Sequence, residues 1–292
     1  MGGKPASLSL AVLCFLAVCL LAVSPLAAAE TPPVEYIYLS GADYIEAAIS
    51  LARFEWTEAK TVILAPVAAS GLIDVLTAVP LAGQEQAPIL LVDGAMVDYR
   101  VMLLLRDFGV ERAFIVGAVA PEIALHLESL FPAMEIEVLR GKNRLETAAL
   151  VNARLNAPRG SFVVGYSAVA DAVSVASWAG AHGFMIQLAN ADGSFSGEKY
   201  TGGYIVGGPA LVTDILGLER VYGPDRYATN QALLQTLTYD HAKVYTVNGQ
   251  NLTHALLAAA AACRTNSPVI LTDRSGVPRP GTIRPGARVF AV

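Results

Sequence analysis

The chain has 292 residues, 54% of them hydrophobic and 15% charged, with a formal net charge of −5. That is length for one or two ordinary domains or three small ones. No basic run is present, which argues against nucleic acid as a partner, and Cys14, Cys19 and Cys263 supply no intrachain disulfide framework once the first two are assigned to a leader.

In chain order, residues 1–29 read as a secretory signal peptide. Lys4 is followed by an apolar stretch over residues 8–29, ending in Ala27-Ala28-Ala29 before Glu30. An uncleaved N-terminal anchor is the alternative. Cleavage removes Lys4, the single charged side chain of the leader, and takes the net charge from −5 to −6. No later stretch is long and apolar enough to span a bilayer, so no membrane contact is expected after cleavage.

From residue 35 onward, short apolar runs alternate with helix-length segments. Strands are predicted at 62–64, 89–92, 114–116, 162–164, 185–186, 204–206, 244–247, 269–271 and 289–290. Helices are predicted at about 44–53, 70–82, 97–107, 121–130, 144–156, 169–182, 209–216, 226–238 and 252–263. Apolar runs of this kind are typical of parallel strands buried on both faces. Their alternation with helices predicts an α/β layered fold. The Gly, Ser and Asp content of residues 190–203 predicts a loop where the first unit has a helix. Cys263 lies in the Ala-rich stretch 255–263 and is expected to be buried and inert.

An eight-residue phrase recurs. It reads Gly-Lys-Asn-Arg-Leu-Glu-Thr-Ala at 141–148 and Gly-Pro-Asp-Arg-Tyr-Ala-Thr-Asn at 223–230. A weaker copy, Gly-Ala-Asp-Tyr-Ile-Glu-Ala-Ala, lies at 41–48. A second shared pattern follows each copy. Its first polar position is Asp74, Asp171 or His254, and its last, 19 residues on, is Asp93, Asn190 or Asp273. The phrase Gly precedes that first position by 33, 30 and 31 residues. Ala113-Phe114-Ile115-Val116-Gly117-Ala118 and Gly203-Tyr204-Ile205-Val206-Gly207-Gly208 close the first two units. The third reaches Arg288-Val289-Phe290-Ala291-Val292 and is expected to be incomplete there. The chain is therefore read as one unit built three times.

Each phrase is placed at a helix start. Asp43, Asn143 and Asp225 are the expected N-caps, because a short polar side chain satisfies a free backbone N–H there. Asp93 and Asp273 follow a strand, at the edge of an open α/β sheet where ligands usually bind. Arg144 and Arg226, just inside a helix N-terminus, are candidates to hold a phosphate or carboxylate. The competing reading pairs each Arg with a carboxylate at a module interface. For Asp93 and Asp273 it is helix capping.

These residues resemble the cell wall-binding repeat type 2 modules of Gram-positive bacteria, notably clostridia. The family phrase is close to Gly-x-Asp-Arg-Tyr-x-Thr-Ala, which Gly223-Pro224-Asp225-Arg226-Tyr227-Ala228-Thr229 and the stretch Arg140 to Ala148 follow. The family's Pro-Ile-Leu-Leu strand is found as Pro88-Ile89-Leu90-Leu91 and Pro268-Val269-Ile270-Leu271, and its Ile-x-Gly-Gly ending as Ile205-Val206-Gly207-Gly208. The resemblance covers roughly residues 35–292. It implies three small Rossmann-like modules about a pseudo-threefold axis, here 35–139, 140–219 and a truncated 220–292. It also implies a cell-surface protein held non-covalently to an anionic secondary wall polymer, a polysaccharide or teichoic-acid-like chain. The residues it puts forward for that contact are Arg144, Arg226, Asp93, Asp273, Asn143, Asp225, Thr147 and Thr229.

The chain departs from the family at several positions. Tyr44 and Ala47 replace Arg and Thr, Met185-Ile186-Gln187-Leu188 replaces Pro-Ile-Leu-Leu, and Asn190 and His254 replace Asp. With an acidic mature chain, attraction to an anionic polymer must be local or bridged by a divalent cation. No resident metal or other cofactor is expected, since His126, His182, His241 and His254 lack metal-ligand spacing. Neither a nucleophile elbow nor a phosphate loop is found. A non-catalytic attachment protein is the expectation. A wall-associated hydrolase or its accessory subunit, an extracellular solute-binding protein and a surface-layer structural protein are the rivals.

Overall fold

The computed structural model describes residues 34–39 and 41–292, and residues 34–292 form one compact unit. The predicted signal peptide, with Cys14 and Cys19, lies outside the described residues. Twelve strands build three parallel sheets of four. The first contains β2 (Thr61–Pro66), β3 (Ile89–Val92), β4 (Arg112–Val116) and β5 (Glu135–Leu139), in the order β3-β2-β4-β5. The second contains β6 (Ser161–Val164), β7 (Met185–Leu188), β8 (Gly203–Val206) and β9 (Glu219–Val221), in the order β7-β6-β8-β9. The third contains β10 (Lys243–Asn248), β11 (Val269–Thr272), β12 (Arg288–Ala291) and β1 (Glu35–Tyr38), in the order β1-β12-β10-β11.

The runs predicted as strands are strands, because they are apolar enough to be buried on both faces. Residues 61–66, 89–92, 161–164, 185–188 and 269–272 are buried throughout. The sequence missed β1, β5 and β9. Each lies at a sheet edge, is partly exposed, and mixes charged with apolar residues (EYIY, EIEVL, ERV). Such short, charged edge strands resist pairing with other chains, and for the same reason they carry a weak strand signal.

These three strands interlock the modules. Each immediately precedes a phrase and pairs in the sheet of the preceding module, while the helix opened by the phrase packs on the next sheet. β1 closes the ring by pairing with β12, with Ile37 opposite Phe290. The sheets therefore depart from the expected boundaries. β1, assigned to residues 35–139, belongs to the third sheet, and β9 straddles the 219/220 boundary. The third sheet has four strands because β1 supplies the fourth.

Nine α-helices are described: α1 (Tyr44–Glu55), α2 (Leu72–Leu76), α3 (Val79–Glu85), α4 (Tyr99–Phe108), α5 (Pro121–Leu130), α6 (Arg144–Asn152), α7 (Val169–His182), α8 (Arg226–Thr236) and α9 (Leu252–Cys263). The predicted helix 70–82 is two helices, α2 and α3, separated at Thr77 and Ala78. Pro80 has no N–H to donate and sits in the first turn of α3, where none is needed. The predicted helix 209–216 is absent, and Gly208 to Leu218 runs through turns.

Helices α3, α7 and α9 pack together about the pseudo-threefold axis. Small residues allow the approach. A Cβ on Gly180 of α7 would stand 2.9 Å from Cys263 Cβ and 3.0 Å from Val79 O. The alanines of α9 bury the same surface with no side-chain entropy cost. Cys263 is buried there, and burial pushes its thiol up to about 12. Glu55, at the end of α1, ties the first module to the third. Its carboxylate, 3% exposed, lies 3.0 Å from Lys243 Nζ and accepts from the Tyr245 hydroxyl.

Candidate functional site at the module seams

The phrase is first a device for starting a helix. Asp43, Asn143 and Asp225 each accept a hydrogen bond from the backbone N–H three residues on, at 2.7, 3.0 and 2.7 Å. The Thr147 hydroxyl accepts from Gly141 N–H (3.0 Å) and donates to Asn143 O (3.1 Å), and Thr229 accepts from Gly223 N–H (3.0 Å). A Cβ on Gly141 would fall 2.3 Å from Glu146 Cβ, so only glycine lets the chain fold back onto the helix. Arg220, just before the third copy, donates to Gly207 O (2.7 Å) and Val212 O (2.8 Å), binding the phrase to the preceding module.

The residues expected to contact the polymer differ in exposure and in their hydrogen bonds. Thr147 and Thr229 are 2% and 3% exposed, with their hydroxyls engaged in the turn. Asn143 and Asp225 are exposed, but one oxygen of each is occupied by capping, and Asp225 also lies 3.6 Å from Arg279. Asp93 and Asp273 are exposed in the loops after β3 and β11, and neither caps a helix. Asp93 accepts from Gly94 N–H (2.8 Å). Asp273 accepts from Ser275, a bond that holds its carboxyl below the usual range. Asp98 caps α4 instead.

The two arginines lie at the seams, and so does a feature the sequence reading recorded only as spacing. Arg144 Nη1 donates to Tyr166 O and Ser167 Oγ, both at 2.9 Å, with its guanidinium 4.5 Å from the Tyr166 ring centre. Arg226 Nη1 donates to Gly249 O at 2.7 Å. Neither forms a direct ion pair among the described residues, but each lies within electrostatic reach of a carboxyl of the preceding module, half-buried at Asp74 and buried at Asp171. Burial raises Asp74 above its ordinary value, and the charge of Arg144 opposes the rise. Burial pushes Asp171, 8% exposed, up to about 6 against the charge of Arg226. Asp74 Oδ1 has no hydrogen-bond partner. Gly207 crosses over Asp171 with φ +106°, where a Cβ would meet Asp171 Oδ2 at 2.7 Å.

The second seam opens into a cleft of about 490 Å3 at the carboxyl edge of the second sheet. Asp171, Arg226 and Leu252 border it near the starts of α7, α8 and α9, opposite Gly208 and Leu211. Converging helix N-termini carry partial positive charge and favour an anion. At the third seam the same positions hold different residues. Tyr44 meets His254 edge-on, ring centres 5.3 Å apart, His254 Nδ1 lies 3.3 Å from Asn251 Nδ2, and Val292 stands where the other units have Gly117 and Gly207. Burial lowers the His254 value, which keeps that seam uncharged.

A family model described as cell wall binding domain 2 (CWB2) matches residues 39–119, 139–216 and 220–289, one segment for each copy of the phrase. The chain belongs to the cell wall binding domain 2 family. N-acetylmuramoyl-L-alanine amidase LytC of Bacillus subtilis (strain 168) is 25% identical over 250 residues, which span 80% of this chain and 50% of LytC. The amidase enhancer of the same organism is 25% identical over 248 residues, 82% of this chain and 35% of the enhancer. Among solved structures, Cwp8 from Clostridium difficile superposes with a TM-score of 0.75 at 25% identity, covering 89% of this chain and 49% of Cwp8. Cwp6 from the same organism gives 0.76 at 18% identity, covering 89% and 45%, and shows the fold alone. The chain thus spans half or less of the length of these relatives.

Proposed function

We propose that the protein is an exported, non-catalytic attachment module that holds an anionic secondary wall polymer in the clefts between its modules. The observation that carries this reading is a carbonyl-anchored arginine near a carboxyl raised by burial at two seams, half-buried at Asp74 and buried at Asp171. Each arginine is fixed in position by a neutral acceptor, so its charge is not consumed by a direct ion pair. A phosphate or carboxylate of the polymer entering the cleft gains that charge and the nearby helix N-termini. It also displaces the electrostatic compensation of the buried aspartate, so binding is expected to tighten as Asp171 becomes protonated. Asp93 and Asp273, in exposed loops at the sheet edges, fit better as rim contacts or as ligands of a bridging divalent cation than as parts of the clefts.

The test is retention of the purified protein on cell walls before and after removal of secondary polymers, with and without a chelator. Retention confined to unstripped walls, and lowered by Arg144→Ala with Arg226→Ala, supports the reading. Equal retention on both preparations points to peptidoglycan and favours the hydrolase-associated alternative.

A further inference from the structure

A polar cavity at the opposite edge of the third sheet offers chemistry that the seams do not use. It has a volume of about 650 Å3 and lies before β10 and β12. Gln231 and Gln235 of α8, Thr238, His241, Thr282 and Arg284 border it. The first module spans the link between its second and third strands with α4. The third module uses the irregular segment 273–287 instead, and this leaves the cavity open.

Its polar groups are arranged for an acceptor-rich guest. Arg284 is exposed, and the ion pairs among the described residues do not include it. His241 Nδ1 is buried without a hydrogen-bond partner. Burial, and then the nearby charge of Arg284, hold the His241 value down, with Asp240 opposing. The imidazole is therefore neutral near pH 7, with one N–H to donate. Asp240 directs Oδ1 to Ala242 N–H at 2.8 Å, in its own turn. Gln231 Oε1 accepts from Arg279 Nη1 at 3.3 Å, which leaves its amide N–H2 to donate. Two amides, two threonines, a neutral imidazole and an uncompensated guanidinium match a hydroxylated ring bearing one negative group.

We propose that this cavity is a second saccharide subsite that takes a sugar unit carrying a carboxylate or a phosphate. The proposal deepens the wall-polymer reading but rests on residues at the other end of the sheet from the clefts. Occupied together, the two edges grip polymer from both ends of the third module, and a weak contact at each suffices through effective concentration.

The experiment is a titration of the purified protein with inorganic phosphate and, separately, with glucuronate, following the His241 ring resonances by NMR. The expected result is a saturable shift with at least one probe, weakened about tenfold or more in Arg284→Ala and unchanged in the Arg144→Ala, Arg226→Ala double variant. Saturation by phosphate alone assigns a phosphodiester unit, and saturation by glucuronate alone assigns a uronic acid. Arg284 is exposed, so its variant should fold, and a melting curve checks this. Gln231→Leu, which removes a neutral wall group, should weaken the response to a smaller extent. Absence of a saturable shift, or an affinity unaltered by Arg284→Ala, overturns the proposal. Because the double variant isolates the seams, loss of wall retention there with the His241 response intact separates failure of one site from failure of the other.

Discussion

The second and third seams occupy equivalent places in the ring and are built for different ends. At the second, Arg226 faces the buried Asp171 across a cleft, an arrangement that costs stability and leaves charge available. At the third, Tyr44, His254 and Val292 fill the same positions without an arginine or aspartate, while β1 pairs with β12 and Glu55, at the other end of α1, binds Lys243. One seam keeps an electrostatic penalty where a ligand can relieve it. The other spends its contacts on closing the ring. Perturbed buried carboxyls gather at functional sites for this reason.

The comparison is broken most severely by Lys243→Ala, which leaves Glu55 buried with only the Tyr245 hydroxyl as side-chain donor. It should cost about 3 kcal/mol in denaturant unfolding, with wall retention of the folded fraction preserved. Next, the Arg144→Ala, Arg226→Ala double variant should lower wall affinity about 100-fold, two charge-assisted contacts at roughly tenfold each. Its melting temperature should fall, because Asp74 and Asp171 lose the opposing charge, so affinity is compared for the folded protein. If binding is undiminished, the seams are not the polymer site.

Asp171→Asn tests the penalty itself. The carboxyl is raised in the folded state, so its contribution favours folding fully below about pH 4 and is lost as pH rises through about 6. At pH 7 the ionised, buried group therefore costs on the order of 3 kcal/mol. The Asn variant should recover about 1–3 kcal/mol at pH 7 and flatten the stability profile between pH 4 and 6. A parent profile already flat there would refute the assignment. The smallest effect belongs to Tyr44→Ala, which removes an edge-on ring contact worth up to about 1 kcal/mol and should leave wall retention unchanged. A loss of retention would mean that the third seam also binds.

Much of this was legible in the chain. The buried strands and most helices follow from apolar runs and their punctuation, and the caps Asp43, Asn143 and Asp225 were placed from the phrase alone. The missed elements share a cause. The strands β1, β5 and β9 are stabilised by pairing at a sheet edge, β1 with β12 at the far end of the chain, and local composition does not encode those partners. The break between α2 and α3 was foreshadowed by Pro80, whose effect an Ala- and Leu-rich neighbourhood obscured.

The site was legible only in part. Arg144 and Arg226 stood out because the phrase repeats, but the same repetition promoted Thr147 and Thr229, which the turn requires for itself. Asp74 and Asp171 were visible as positions at near-constant spacing, without a hint that each is raised by burial near the arginine of the following unit. Their chemistry arises from juxtaposition across 70 residues in one case and 55 in the other.

The sequence by itself determined the threefold repetition, the α/β class and the helix starts, because periodicity, capping and glycine placement act over a few residues. Only the tertiary structure decided that each phrase bridges two modules, that β1 completes the last sheet, and that two of three seams carry charge. Those outcomes depend on burial and on electrostatic fields between distant segments, and both exist only once the ring has closed.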